Sequence, residues 1–284
     1  MLQYPITLYF FLTSRSTRDA SREFLTLALE RPATLADGYR NHCYFACTIL
    51  DRVYLLSGNH ACLDVNIHGA DAILELIAGG SSCMILGSHL GSFEVLRSIG
   101  GRQKDIPIRV LMRHEQNPII SEFLNCLNRD VANLVIPLGR PNSMLLVKEA
   151  VEKGHLIGLL GDRPLTGEKT HACKFFGKQA PFPTGPITLA IILRIPVYLA
   201  FGIYQGGNHY DIHFELLSDV IETAHNERET CAARLIECFA TRLEYFARRS
   251  PYNWFNFYDF WYTSQEPLHS RDARCQQHRG GPRR

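Results

Sequence analysis

Two residues in this sequence have the right types and spacing to move a proton. His89 and Glu94 lie in the stretch Gly87-Ser-His89-Leu-Gly91-Ser-Phe-Glu94. An imidazole with a carboxylate on its far nitrogen has a fixed tautomer and raised basicity. It is then suited to take a proton from an alcohol as the alcohol attacks a carbonyl. On one continuous helix these side chains would diverge, so they meet only if His89 stands in a loop. Gly87 and Gly91 permit such a loop, because glycine accepts torsions that other residues avoid. No Ser or Cys stands in a Gly-x-Ser-x-Gly elbow. The attacking hydroxyl is therefore expected to come from a substrate, in a direct transfer with His89 as base and Glu94 as its partner. A histidine bonded for purely structural reasons fits the same spacing.

The elements around the pair are legible from hydrophobic pattern. Ser82 to Leu86 is a short apolar run closed by Gly87, the signature of a buried strand, and Phe93 to Ile99 then reads as helix up to Gly100-Gly101. Ile108–Met112, Leu134–Leu138 and Leu156–Leu160 read as further strands, with helices at Pro118–Leu127 and Ser143–Lys153 between them. Such alternation predicts a single α/β domain over residues 1–264, with a mixed, largely parallel central sheet flanked by helices. His89 then follows a strand end and Glu94 falls in the next helix's first turn, where ligands gather in open α/β sheets. Arg163 to Gly185 reads as a polar loop. It is followed by an apolar helix around Ile187–Leu193 and by two strands, Pro196–Tyr204 and Tyr210–Leu217, joined as a hairpin across Gly206-Gly207-Asn208. A long amphipathic helix, Glu227–Arg248, precedes the aromatic run Tyr252 to Tyr262. Residues 265–284 read as a disordered basic tail.

Bulk properties narrow the class. The 284 residues are 46% hydrophobic, enough for one substantial core, and the formal net charge of +2 is too mild for a nucleic-acid binder. Nine scattered cysteines with no Cys-x-x-Cys pair read as reduced thiols, with neither a disulfide framework nor a metal site expected. The helical segment 1–60 opens with the apolar stretch Tyr4 to Leu12, far short of a bilayer span and followed by Arg15, Arg18 and Arg22. That arrangement suits a segment lying in a membrane interface, and a first core helix suits it equally.

The stretch Gly87 to Glu94 resembles the His-x4-Asp/Glu motif of the glycerolipid acyltransferase superfamily. It is closer still to the late lipid A acyltransferases, which add lauroyl or myristoyl chains. The resemblance continues through Arg113-His-Glu-Gln-Asn117-Pro118, Leu138-Gly-Arg140, Gly158-Leu-Leu-Gly-Asp162-Arg163, and Phe175-Phe176-Gly177 with Pro183-Thr-Gly-Pro186. The ending, Pro251 to Trp261, looks like that of acyltransferases that accompany aryl-polyene pigment clusters, and the hydrophobic N-terminal anchor is shorter than usual in the lipid A branch. The resemblance implies an O-acyltransferase whose co-substrate is an acyl carrier protein or coenzyme A thioester. It implies no cofactor or metal, a lipid or glycolipid acceptor, and a peripheral or monotopic place at the cytoplasmic face of the inner membrane. It further implies a substrate-binding role for Arg113 and Asn117 along the cleft. Asp162 and Arg163 would meet the thioester oxyanion or a phosphate, and Phe175, Phe176 and Gly177 would shape an acyl channel. Residue chemistry leaves other roles open for these: an ion pair at a strand end, a helix cap, and core packing. A thioesterase or esterase using the same His–Glu pair, and a non-catalytic lipid-binding protein on the same fold, are the alternatives.

Overall fold

A strand that is apolar at every position is stable only where both of its faces are covered. Met84-Ile-Leu-Gly87 is such a strand, buried at all four positions. The computed structural model describes residues 3–56, 62–95, 108–113, 134–165 and 167–261. In chain order the elements are α1 (Gln3–Thr13), α2 (Arg15–Ala28), α3 (Leu35–Leu56), β1 (Asp64–His68), α4 (Asp71–Ala78), β2 (Met84–Gly87), β3 (Ile108–Arg113) and β4 (Val135–Leu138). They continue with α5 (Ser143–Glu152), β5 (Leu156–Leu160), β6 (Thr170–Phe175), β7 (Lys178–Pro183), α6 (Gly185–Leu193), β8 (Val197–Gly206), β9 (His209–Ser218) and α7 (Arg228–Arg249).

Seven strands form one sheet in the order β1-β9-β8-β2-β5-β3-β4. Only the β8–β9 hairpin is antiparallel; the other neighbours run parallel. Side chains alternate between two cores, as the period of a strand requires. Met84 and Leu86 of β2 and Val197, Leu199 and Phe201 of β8 pack with α2, α5, α6 and α7. Ile85, Tyr198 and Ala200 point the other way, against Leu55 of α3 and Ile73 of α4. The largely parallel sheet expected from the alternating pattern is present, with helices on both faces.

The structure departs from the sequence pattern in three places. Residues 163–185 are not a plain polar loop. They contain β6 and β7, a separate two-stranded antiparallel sheet whose inward side chains, Phe175 and Phe182, are fully buried. Strand β1 was also missed, because Asp64-Val-Asn-Ile-His68 is a mostly exposed edge with no apolar alternation. The first segment is helical, but it is not a core helix. Only Thr7 and Phe11 are buried, Phe11 lying edge-on to Tyr39 and His42 of α3, and Tyr9, Phe10 and Leu12 are more than 60% exposed. Among the described residues no helix is long and apolar enough to cross a membrane. The helix expected at 118–127 and the tail at 265–284 lie outside the described residues.

Candidate active site

Strands β2 and β5 are parallel neighbours, with Gly87 in register with Leu160. Whatever follows each strand therefore emerges at one place, and the N–H of Gly161 donates to the carbonyl of Gly87 at 3.0 Å. Two residues beyond Gly87 stands His89, and two beyond Leu160 stands Asp162. His89 Nδ1 lies 2.8 Å from Asp162 Oδ1, and the backbone N–H of His89 donates to Oδ2 at 2.9 Å. Trp254 adds a third bond to the carboxylate, from Nε1 to Oδ2 at 3.3 Å. Asp162 is completely buried. Burial alone would raise its pKa, but the charge and hydrogen bonds of His89, with the charge of Arg163, outweigh that and hold the carboxyl at about 2. An ionised carboxylate can only accept, so Nδ1 of His89 carries the ring proton. In the neutral ring the lone pair is then on Nε2, the nitrogen turned away from Asp162.

This is not the partnership that spacing suggested. Glu94 instead forms an ion pair with Arg52 of α3, its Oε1 3.2 Å from Nη2. The reason is topological: Asp162 arrives from the adjacent strand and takes Nδ1, while Glu94 begins the turn that faces α3. Sequence reading missed Arg52 altogether, since nothing in α3 marks it apart from other helical arginines. Asp162 did carry a signal, its place at a predicted strand end, but not one that named its partner.

The loop bearing His89 is braced from two sides. Gly91 has φ +73°, and its N–H donates to the carbonyl of Asn253 at 2.8 Å, while Ser92 N–H donates to Gly202 of β8 at 2.7 Å. A Cβ on Gly91 would fall 1.9 Å from the Gly202 carbonyl oxygen, so this approach requires glycine. Phe255 N–H donates to the His89 carbonyl at 2.9 Å, and Leu90 bridges Trp254 in antiparallel fashion. The aromatic segment after α7 thus holds both members of the pair. Asn253 secures that segment to β8 by exchanging hydrogen bonds with the backbone of Tyr204. Arg163 also leans on it, donating Nη2 to the Phe255 carbonyl and stacking 5.3 Å from the centroid of the Tyr258 ring.

His89 opens on a cavity of about 1180 Å³, above the roughly 300–1,000 Å³ usual for small-ligand pockets. Its walls are largely aliphatic, with Val110, Met112, Leu159, Leu189 and Ile192 among them, and its charged lining includes Arg52, Glu94, Arg163, Lys169 and Arg228. The expected acyl-channel residues are elsewhere. Phe175 and Phe176 are buried in an aromatic cluster with Trp254, Phe182 and Trp261, Gly177 makes the β6–β7 turn, and none of the three lines the cavity. Arg113 closes β3, but its side chain and all of Asn117 lie outside the described residues. Among the described residues no group of three or more His, Cys, Asp or Glu side chains is placed to hold a metal ion.

The family model described as bacterial lipid A biosynthesis acyltransferase matches residues 38–263, a span that takes in most of α3, both site strands and the aromatic segment. No curated protein matches the chain.

Proposed function

We propose, from the premise that this chain belongs to the bacterial lipid A biosynthesis acyltransferase family, that His89 is the base of its acyl transfer. Membership of the family supports acyltransferase activity, and in general terms it implies an acyl thioester donor and a lipid acceptor. In our reading, Nε2 of His89 takes the proton of an acceptor hydroxyl as that oxygen attacks the thioester carbonyl. The new C–O bond forms, the C–S bond breaks, and the departing thiolate receives the proton from the imidazolium. Asp162 steadies the imidazolium and keeps the proton on Nδ1, so it positions the base without touching substrate. The observation that carries this reading is the His89–Asp162 pair at the edge of a large aliphatic cavity. An acyl chain buried there excludes water from the thioester and favours transfer over hydrolysis.

The finer assignments are part of the same proposal. The donor is an acyl carrier protein or coenzyme A thioester, and it supplies its own leaving group without any cofactor. The acceptor is a lipid or glycolipid hydroxyl, and the ending of the chain favours the aryl-polyene type of branch over the lauroyl or myristoyl lipid A enzymes themselves. The exposed aromatic face of α1 supports a peripheral or monotopic seat at the cytoplasmic face of the inner membrane. A mass-spectrometric comparison of lipid extracts from cells making the wild-type chain or His89→Ala at equal level tests the reading. A lipid heavier by one acyl chain, found only with wild type, is expected. Identical extracts from folded, membrane-bound proteins would sink acyl transfer and leave thioester hydrolysis in its place.

A further inference from the structure

The described residues contain five buried side-chain polar atoms with no hydrogen-bond partner, and three of them are the Nε atoms of Arg52, Arg163 and Arg228. All three arginines line the cavity that His89 opens on. A buried donor without an acceptor is costly, and a cluster of them in one cavity is the mark of a site shaped for anionic oxygen. Two of the three have other partners: Arg52 is paired with Glu94, and Arg163 donates to Phe255. The guanidinium of Arg228 makes no ion pair or hydrogen bond with a described residue. The carboxylates on its side of the cavity are engaged elsewhere. Glu229 is paired with Lys169, and Glu168 accepts the N–H of Leu165.

Arg52 and Arg228 approach from opposite layers of the fold, α3 on one face of the sheet and α7 on the other. Their surroundings differ. Arg52 shares a helix face with Phe45 and Ile49, both exposed, so its wall continues an apolar surface. The lining contributed by the first turn of α7 and by β6, with Lys169 just before it, includes the polar residues Lys169, Thr170, His171, Glu229 and Thr230. A lipid acceptor suits the first wall, and a water-borne donor suits the second.

Resting on the acyl-transfer reading above, we propose that Arg228 binds the phosphate of the donor's phosphopantetheine arm. Coenzyme A and acyl carrier proteins present the same arm, so one subsite serves either. The phosphate then anchors one end of the donor, the acyl chain fills the aliphatic part of the cavity, and the thioester between them is held near His89. Lys169, tied to Glu229, lines the same wall and adds a second cation.

The test uses a pair of inert thioethers, S-dodecyl-phosphopantetheine and S-dodecyl-pantetheine, titrated calorimetrically into the full-length chain. The wild-type protein is expected to favour the phosphorylated compound by about ten- to a hundredfold, the range of a charge-assisted hydrogen bond. Arg228→Gln should erase that preference while leaving the affinity for S-dodecyl-pantetheine unchanged, and Arg228→Lys should restore part of it. Equal wild-type affinity for the two probes overturns the subsite but leaves acyl transfer standing. Binding of neither probe removes both the subsite and the thioester donor. A preference that survives Arg228→Gln but disappears in Arg52→Gln overturns the assignment by placing the phosphate on the opposite wall. Dodecyl-coenzyme A and a dodecyl-loaded carrier protein, titrated alike, distinguish the two bodies that bring the arm. Whichever binds wild type should weaken by the same factor in Arg228→Gln, and undiminished affinity overturns the proposal.

Discussion

At the residue scale, His89 is paired with Asp162, and Glu94 with Arg52. Replacing Asp162 by Asn keeps the shape of the side chain but offers an amide where His89 needs an acceptor, so the ring is free to take the wrong tautomer. The expected loss is about 10²–10⁴-fold in turnover, with His89→Ala at background, as read by thiol release in the presence of acceptor. Glu94→Gln should cost much less in turnover and appear mainly as a raised KM, because it loosens Arg52 and not the base. If Glu94→Gln were the more damaging of the two, Asp162 would not be the working partner. The place of His89, in a loop after a buried strand, was legible, since it follows an apolar run closed by glycine. Its partner was not, because Asp162 is 73 residues away and reaches it only through the pairing of β2 with β5. Periodicity carries no information about which strands become neighbours.

At the element scale, α3 is the member that connects the site to the rest of the chain. It starts with a reciprocal cap, in which Thr34 N–H donates to Asp37 Oδ2 at 2.8 Å and Asp37 N–H donates to Thr34 Oγ1 at 3.2 Å. Asp37 also receives Arg31 through both carboxylate oxygens and the hydroxyl of Tyr252 at 2.7 Å. These donors, Arg31 foremost, hold the Asp37 carboxyl far below the usual carboxylate range. A depressed folded-state pKa stabilises fully above the ordinary value of about 4, and the benefit is lost as pH falls below it. Asp37→Asn should thus lower the urea midpoint at pH 7, by an amount that shrinks as the pH is taken below 4. A deficit that stayed constant with pH would mean the cap, not the charge, does the stabilising. Gly91→Ala tests the other brace: with the Gly202 carbonyl in its way, it should cost more than about 2 kcal/mol and lower the melting temperature by several degrees. The elements that could be read beforehand were those with strong patterns, such as Leu156–Leu160 and the β8–β9 hairpin. The β6–β7 hairpin could not, because its glycines and prolines look like loop and its burial comes from α7 and the aromatic segment packed upon it.

At the scale of the whole molecule, the apolar surface is unevenly spread. Tyr9, Phe10 and Leu12 project from α1, and Phe45, Ile49 and Tyr54 are exposed along α3. Exchanging Tyr9, Phe10 and Leu12 for Ser should weaken sedimentation with anionic vesicles at least about tenfold, since each large side chain is worth about 1.5–3 kcal/mol when buried. Thioether binding should be unaffected, and vesicle binding as strong as wild type would exclude α1 as the contact. The general architecture was legible because alternating strands and helices leave few arrangements. The closure of the site by residues 253–255 was not, since an aromatic run says only that it will be buried and not over what. That closure has a consequence for the order in which the protein is made. Trp254 is synthesised 92 residues after Asp162. At roughly 5–20 residues per second the ribosome needs on the order of ten seconds to supply it. Late in that interval a nascent chain has both strand tips and the Gly202 brace but lacks the indole that bonds Asp162 and the backbone of residues 253–255 that holds the other side of the His89 loop. His89 is therefore fully braced last, and a translation product released before Trp254 would have all seven strands of the sheet and no properly held histidine.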